Sequence, residues 1–313
     1  MSTVAKDIPL FEMPAQHAST QRRTRILCVS DLGSQSEHAL QRASSLARTW
    51  EAELLVLHVL SEKHSEQVVL SSADRARLRL CVPTERAIPD EEQPAAVQIR
   101  RGKPHHVIKN TAREWNAELL VIAAPQPSGI DRLFGTTEER LLASVNIPVL
   151  IVRGTAPQTY RNVAVASDLL PPSMQAAKRA SALGFFDAAE VTFIHAFRPP
   201  YEGINLGDPR ASEQLETYRQ KTGRLIEQQL NADIGFAGLK KYRTKVHSRL
   251  ATEPEEGIAM MLGEFGTELM VMNMPRRFAL KQLFGRSTAS RILREARCDV
   301  LAVPSAATVG AGV

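Results

Sequence analysis

The sequence predicts two tandem, doubly wound α/β domains, each on a mainly parallel five-stranded sheet. The first observation is a repeat. Arg25-Ile26-Leu27-Cys28-Val29-Ser30-Asp31 returns 137 positions later as Asn162-Val163-Ala164-Val165-Ala166-Ser167-Asp168. At the same offset Arg42-Ala43-Ser44-Ser45-Leu46-Ala47 returns as Arg179-Ala180-Ser181-Ala182-Leu183-Gly184, and Leu55-Val56-Leu57-His58-Val59 as Thr192-Phe193-Ile194-His195-Ala196. Further on the register drifts: Glu118–Ile122 matches Glu268–Met272, and Leu133-Phe134-Gly135-Thr136-Thr137 matches Leu283-Phe284-Gly285, an extra Arg286, then Ser287-Thr288. The second observation is that the strand-like runs are apolar throughout rather than alternating. A strand of that kind is covered on both faces, which belongs to parallel sheets between helices.

In the first copy the pattern predicts strands over 25–30, 53–60, 96–100, 118–123 and 148–152, with helices over 34–49, 103–116 and 136–145. Within 34–49 the small residues Ala39, Ala43 and Ala47, with Leu46, make a narrow stripe that lets the helix lie close on a sheet. The stretches 61–95 and 198–240 are polar and poorly patterned; 212–231 reads as helix and 200–210 as loop. The domains are expected at 23–154 and 160–305, with a seam over Gly154 to Tyr160 and disordered tails at 1–22 and 306–313.

Composition narrows the function. The chain of 313 residues is 43% hydrophobic and 23% charged, with a net charge of +5, so it has material for two cores but no strong polyelectrolyte character. No basic tract with interleaved aromatics points to nucleic acid, and no apolar run is long enough to span a membrane. The cysteines Cys28, Cys81 and Cys298 form no CxxC pair, and two of them sit in or beside apolar strand-like runs, which reads as small core residues in a reducing compartment. With no signal-peptide pattern at the N-terminus, a cytoplasmic location is expected.

Ligands of open α/β sheets sit beyond the carboxyl ends of the strands, where strand order switches. Asp31 and Asp168 end the first strand of each copy there, and His58-Val59 and His195-Ala196 end the second. Gly135-Thr136 and Gly285-Arg286-Ser287 open the last helix, where backbone N–H groups and the helix dipole favour an anion.

On these residues the chain resembles the universal stress proteins, nearly throughout and twice over. The resemblance implies an adenine-nucleotide-alpha-hydrolase-like fold. In nucleotide-binding members the first-strand Asp lies near the adenosine, the residue after the second-strand His lies at the base, and a glycine-rich loop holds the phosphates. That implies ATP contacts from Asp31, Val59, Gly135 and Thr136 in copy one, and from Asp168, Ala196, Gly285, Arg286 and Ser287 in copy two. The loop departs from the family pattern. Ala123-Ala124-Pro125-Gln126-Pro127-Ser128-Gly129 and Met272-Asn273-Met274-Pro275-Arg276-Arg277 stand where its first glycines belong, so side chains crowd a place that needs bare backbone. The copies differ in charge as well. Glu138 and Glu139 follow the glycine in copy one, whereas Arg276, Arg277, Lys281 and Arg286 surround it in copy two, so an anion site is expected in copy two.

Each of these residues also has a plainer reading. Asp31 and Asp168 suit helix caps, Gly135 and Gly285 suit tight turns, and Arg276-Arg277 suits a solvated loop. His58 and His195 end apolar strands without a metal-ligand partner, and the adjacent His105-His106 suits solvent. No Walker loop, zincin motif, nucleophile elbow or paired acid and base is present, and no metal site is expected. The leading expectation is therefore a non-catalytic stress-response protein whose halves pair as an internal pseudo-dimer, with homodimerisation as an extension. The alternative is an ATP-binding switch or slow ATPase using the copy-two pocket, and a third option is a small non-nucleotide ligand or a partner protein bound by 198–240.

Overall fold

The computed structural model describes residues 23–31, 33–60, 96–124, 141–142, 144–154, 159–200, 211–274 and 288–305. The chain divides into two compact units, Met1–Gln158 and Thr159–Val313.

In the first unit β1 (Arg25–Val29), β2 (Glu53–Leu60), β3 (Ala96–Arg101), β4 (Leu119–Ala123) and β5 (Val149–Val152) run in the order β3-β2-β1-β4-β5. Every registered pair among them is parallel: Ile26 stands between Leu54 and Leu119, and Leu55 opposite Ala96. Helix α1 (Ser34–Thr49) packs on β1, β4 and β5, and α2 (Pro104–Glu114) on β2. Because the order reverses at β1, right-handed crossovers carry helices to both faces. Burial agrees: Ile26, Leu27 and Cys28 are each wholly excluded from solvent although successive side chains point to opposite faces. Of the expected 136–145 helix, residues 141, 142 and 144 are helical; 136–140 and 143 lie outside the described residues, as do 61–95.

The second unit repeats the plan. Strands β6 (Asn162–Ala166), β7 (Glu190–Phe197), β8 (Arg243–Leu250), β9 (Leu269–Met274) and β10 (Asp299–Pro304) run in the order β10-β9-β6-β7-β8, again parallel. Helix α3 (Pro171–Ala182) lies on β9, β10 and β6, α4 (Ala211–Phe236) on β8, and α5 (Pro254–Glu264) on β7 and β8 beside α6 (Thr288–Glu295). Helix α4 is longer than the 212–231 expected. Gly223, Ile226, Leu230 and Ile234 continue one apolar stripe, which packs Ile226 and Leu230 with Phe197. Gly238, at φ 71, takes the left-handed conformation that leads out of the helix. The expected 200–210 loop lies outside the described residues except for Pro200.

The duplication extends to single hydrogen bonds. Glu53 N–H donates to Thr24 O at 2.8 Å and Glu190 N–H to Arg161 O at 2.8 Å. Arg100 pairs with Glu114 at 2.7 Å and Arg249 with Glu264 at 2.5 Å, each joining the outer strand to the end of the following helix. Asn116 and Gly266, after those helices, share a left-handed φ of 53 and 54.

Candidate functional site

Between β1 and β4, and between β6 and β9, the chain leaves in opposite directions, so each unit has a crevice beyond its carboxyl ends. Asp31 and Asp168 stand at these mouths, exposed, and each side chain makes the same local bond. Asp31 Oδ1 accepts from Gly33 N–H at 2.8 Å, and Asp168 Oδ1 from Leu170 N–H at 3.0 Å. Neither is the helix cap itself: the cap positions of α1 and α3 are Gly33 and Leu170, without side-chain cap bonds. The carboxylates instead close Asx turns two residues upstream. Gly33 suits this turn because a Cβ there would stand 3.0 Å from Asp31 Oδ1.

A serine at matching positions is wired differently in the two copies. Ser36 donates to Asp31 Oδ1 and accepts from Asp31 N–H at 3.1 Å. Ser173 donates to Leu170 O at 2.7 Å and lies 3.1 Å from Ser167 Oγ, which accepts from Leu169 N–H at 3.1 Å. The backbone accounts for the change: Leu169 has φ 62, and Pro171 and Pro172 open α3 without N–H donors. Nothing in the residue pattern distinguished these serines from other helix-opening serines, since their partners are fixed by turn geometry.

Within each unit a histidine braces the mouth: His58 in the first, His195 in the second. Their Nδ1 atoms lie 2.8 Å from Ser30 O and 2.7 Å from Ser167 O. A carbonyl only accepts, so Nδ1 carries the proton and the ring braces the serine peptide that leads into the aspartate. Of the residues following these histidines, Val59 is half-buried and Ala196 buried. Ala196 packs under α5: a Cβ added to Gly257 would lie 3.0 Å from its Cβ and 2.8 Å from that of Ala251. His105 and His106 are half-buried and exposed at the start of α2, with their rings 4.3 Å apart. Gly135, Thr136, Gly285, Arg286 and Ser287 lie outside the described residues, as do Glu138, Glu139, Arg276, Arg277 and Lys281.

The residue pattern did not flag a chain of alternating charges at the carboxyl end of the second unit. Arg198, just after β7, lies 3.6 Å from Glu253, which lies 3.7 Å from Arg291; Arg291 also pairs with Glu255. Glu255 is 3% exposed, and its Oε2 has no hydrogen-bond partner among the described residues. Arg291 sits in α6, the helix that Gly285-Arg286-Ser287 leads into, and its charge is already committed to two carboxylates. No metal-binding group of three His, Cys, Asp or Glu occurs among the described residues, and no helix among them is long and apolar enough to cross a membrane.

The sequence model of the Universal stress protein family matches residues 22–153 and again 159–304. The chain belongs to the universal stress protein family. Universal stress protein A homolog 1 of Coxiella burnetii is 26% identical over 141 residues, 41% of this chain and 94% of that one. Among solved structures, a universal stress protein from Archaeoglobus fulgidus superposes with a TM-score of 0.62 at 16% identity, covering 90% of this chain and 97% of its own. A functionally unknown protein from Pseudomonas aeruginosa gives 0.58 at 14% identity, covering 90% and 93%. At these identities the structural likeness establishes the two-copy universal stress protein fold.

Proposed function

We propose that this chain is a non-catalytic, cytoplasmic universal stress protein, that its two copies pair with each other, and that its carboxyl-end crevices are degenerate nucleotide sites. One observation carries the reading. In both units the titratable groups at the mouth are used for architecture: the histidine Nδ1 braces the serine carbonyl, and one aspartate oxygen closes the turn. A general base needs a free lone pair aimed at a substrate proton, and an Asx-turn carboxylate has spent part of that capacity. The aspartates keep Oδ2 for a ligand hydroxyl such as that of a ribose. Where nucleotide is held, the second unit holds it, with Asp168 and Ala196 on the nucleoside side and Gly285, Arg286 and Ser287 on the phosphate side. In the first unit the matching residues are Asp31, Val59, Gly135 and Thr136, and Glu138 and Glu139, close by in the sequence, carry charge that opposes phosphate.

The test is to denature the purified full chain, separate the released small molecules and look for adenine nucleotide, with phosphate release from added ATP measured alongside. Trace nucleotide and no turnover above the blank support the proposal. Stoichiometric ATP together with turnover that Asp168→Ala abolishes replaces it with a switch or slow ATPase.

A further inference from the structure

A cavity of about 170 Å3 opens at the amino ends of β6, β7 and β8, the end of the sheet away from the crevice. Its walls include Asn162, Glu190, Thr192, Lys245, His247 and Phe265. Asn162 and Glu190 are cross-strand partners in the β6–β7 ladder, and Phe265 ends α5. The rings of His247 and Phe265 lie 4.6 Å apart. A cavity of this size is comparable to one that holds a benzene-sized molecule, about six heavy atoms.

The first unit shows what such a place accommodates. The residue matching Asn162 is Arg25, opposite Glu53 in the β1–β2 ladder. Arg25 Nε donates to Glu53 Oε2 at 3.0 Å, its Nη1 donates to Trp115 O at 3.2 Å, and its guanidinium carbon lies 5.9 Å from the Trp115 ring centre. The guanidinium thus sits among a carboxylate, the last carbonyls of a helix and an aromatic face, three features that each favour a cation. The second unit keeps the matching elements: Glu190 for Glu53, Phe265 for Trp115, and the end of α5 for that of α2. The occupant, however, is shorter. Asn162 falls several atoms short of an arginine's reach, and Thr192 replaces the larger Leu55 on the floor.

We infer that the amino-end cavity of the second unit is a binding site for a small guanidinium compound, which takes the place that the Arg25 side chain fills in the first unit. Glu190 has two resident competitors: Lys245, at the position of Ala96, reaches it at 2.7 Å, and the Arg243 guanidinium, 84% exposed, lies 3.6 Å from it. The Lys245 side chain is 57% exposed and can swing into water when the ligand arrives, because an exposed ion pair is weak. A ligand that also carries a carboxylate gains Lys245 as a counter-ion once it is displaced.

The test titrates the full-length protein with ethylguanidinium and with agmatine by calorimetry and by amide chemical shifts, against matched sodium chloride. Saturable binding at one site per chain, with shifts at Asn162, Thr192 and Phe265, is expected. Asn162→Arg plugs the cavity as Arg25 does and weakens binding by about tenfold or more, and Glu190→Gln does the same by removing the carboxylate. Lys245→Ala removes the nearer competitor and tightens binding. Absence of saturable binding overturns the inference, as does equal binding by Asn162→Arg. Weaker binding by Lys245→Ala overturns it too, since it marks a site for anions. Should Asn162→Arg not fold, the opposite signs expected for Glu190→Gln and Lys245→Ala decide the matter alone.

Discussion

The Nδ1–H of His195 donates to the carbonyl of Ser167 at 2.7 Å, and 137 residues earlier His58 does the same to Ser30 at 2.8 Å. Each bond spans two neighbouring strands at the carboxyl end and holds the peptide that presents the aspartate. The arrangement makes these histidines structural, and their loss measurable as stability. His58 is 8% exposed and His195 more accessible. Replacing either with alanine leaves a serine carbonyl without its ring donor, at about 1–3 kcal/mol where the group stays buried. Urea denaturation of the full chain is expected to show His58→Ala as the costlier change, because water reaches the vacated place less readily.

Helix α5 carries two glycines with opposite expected behaviour. At Gly257 an added Cβ meets the Cβ atoms of Ala251 and Ala196 at 2.8 and 3.0 Å, and both are anchored directly to backbone. Neither can yield, so Gly257→Ala is expected to destabilise by about 1–3 kcal/mol through overpacking. At Gly263 nothing lies within 4 Å. There alanine restricts the unfolded chain and favours the helix, so Gly263→Ala is expected to stabilise by about 0.5–1 kcal/mol. Thermal unfolding of the two variants side by side checks the contrast.

Arg291, its side chain 35% exposed, supplies the counter-charge of the buried Glu255. Arg291→Ala leaves the 3%-exposed Glu255 without its counter-charge and is expected to cost about 1–3 kcal/mol, less than for a wholly buried pair because water reaches the 35%-exposed arginine. Glu255→Gln keeps a hydrogen-bond acceptor for the guanidinium and is expected to cost less. In the same variant Arg291 is released from one of its two carboxylates, so affinity for ATP or inorganic phosphate at the second unit is expected to rise. Denaturant titration measures the first effect and calorimetric titration the second.

The Cys28 thiol is fully buried, and desolvation pushes its pKa up from 9.0 to about 12. The folded state therefore keeps the proton at a pH where the unfolded chain loses it. The sign follows: this cysteine's contribution is fully present below about pH 9 and is lost progressively as pH rises from there toward 12, at up to ~1.4 kcal/mol per pH unit. Comparing wild type with Cys28→Ala in urea at pH 8 and pH 10 isolates it, the wild type falling more steeply. A thiol reagent at neutral pH is expected to leave Cys28 unlabelled in the folded protein.

Much of the fold was legible in the residues because its cause is local. Runs such as Ile26-Leu27-Cys28 and Val163-Ala164-Val165 are apolar on both faces, which only a covered strand accommodates, and their return at a constant spacing exposes the duplication. Helix α4 ends five residues beyond the 212–231 that the residue pattern marks, since the stripe through Ile234 continues past a polar stretch and Gly238 marks the exit only with its φ known. At the site, Asp31 and Asp168 were recognisable as mouth residues but not as Asx-turn acceptors; Ser36 and Ser173 recur at the repeat's offset without revealing their partners, and Glu255 and Arg291 carried no signal of spacing. The serines' partners are set by the geometry of the turn just before them, and Glu255 and Arg291 meet from two different helices.

By itself, the amino-acid sequence determined that one strand–helix plan occurs twice, and which strands are sandwiched between helices, because hydrophobic periodicity and repetition are written residue by residue. Tertiary structure alone decided what the polar groups do. Whether an arginine fills a cavity or an asparagine leaves it open depends on Glu53 and Trp115 meeting Arg25 from 28 and 90 positions away. Hydrogen bonds and charge pairs act over about 3–4 Å, and only the folded chain brings such distant residues within that range.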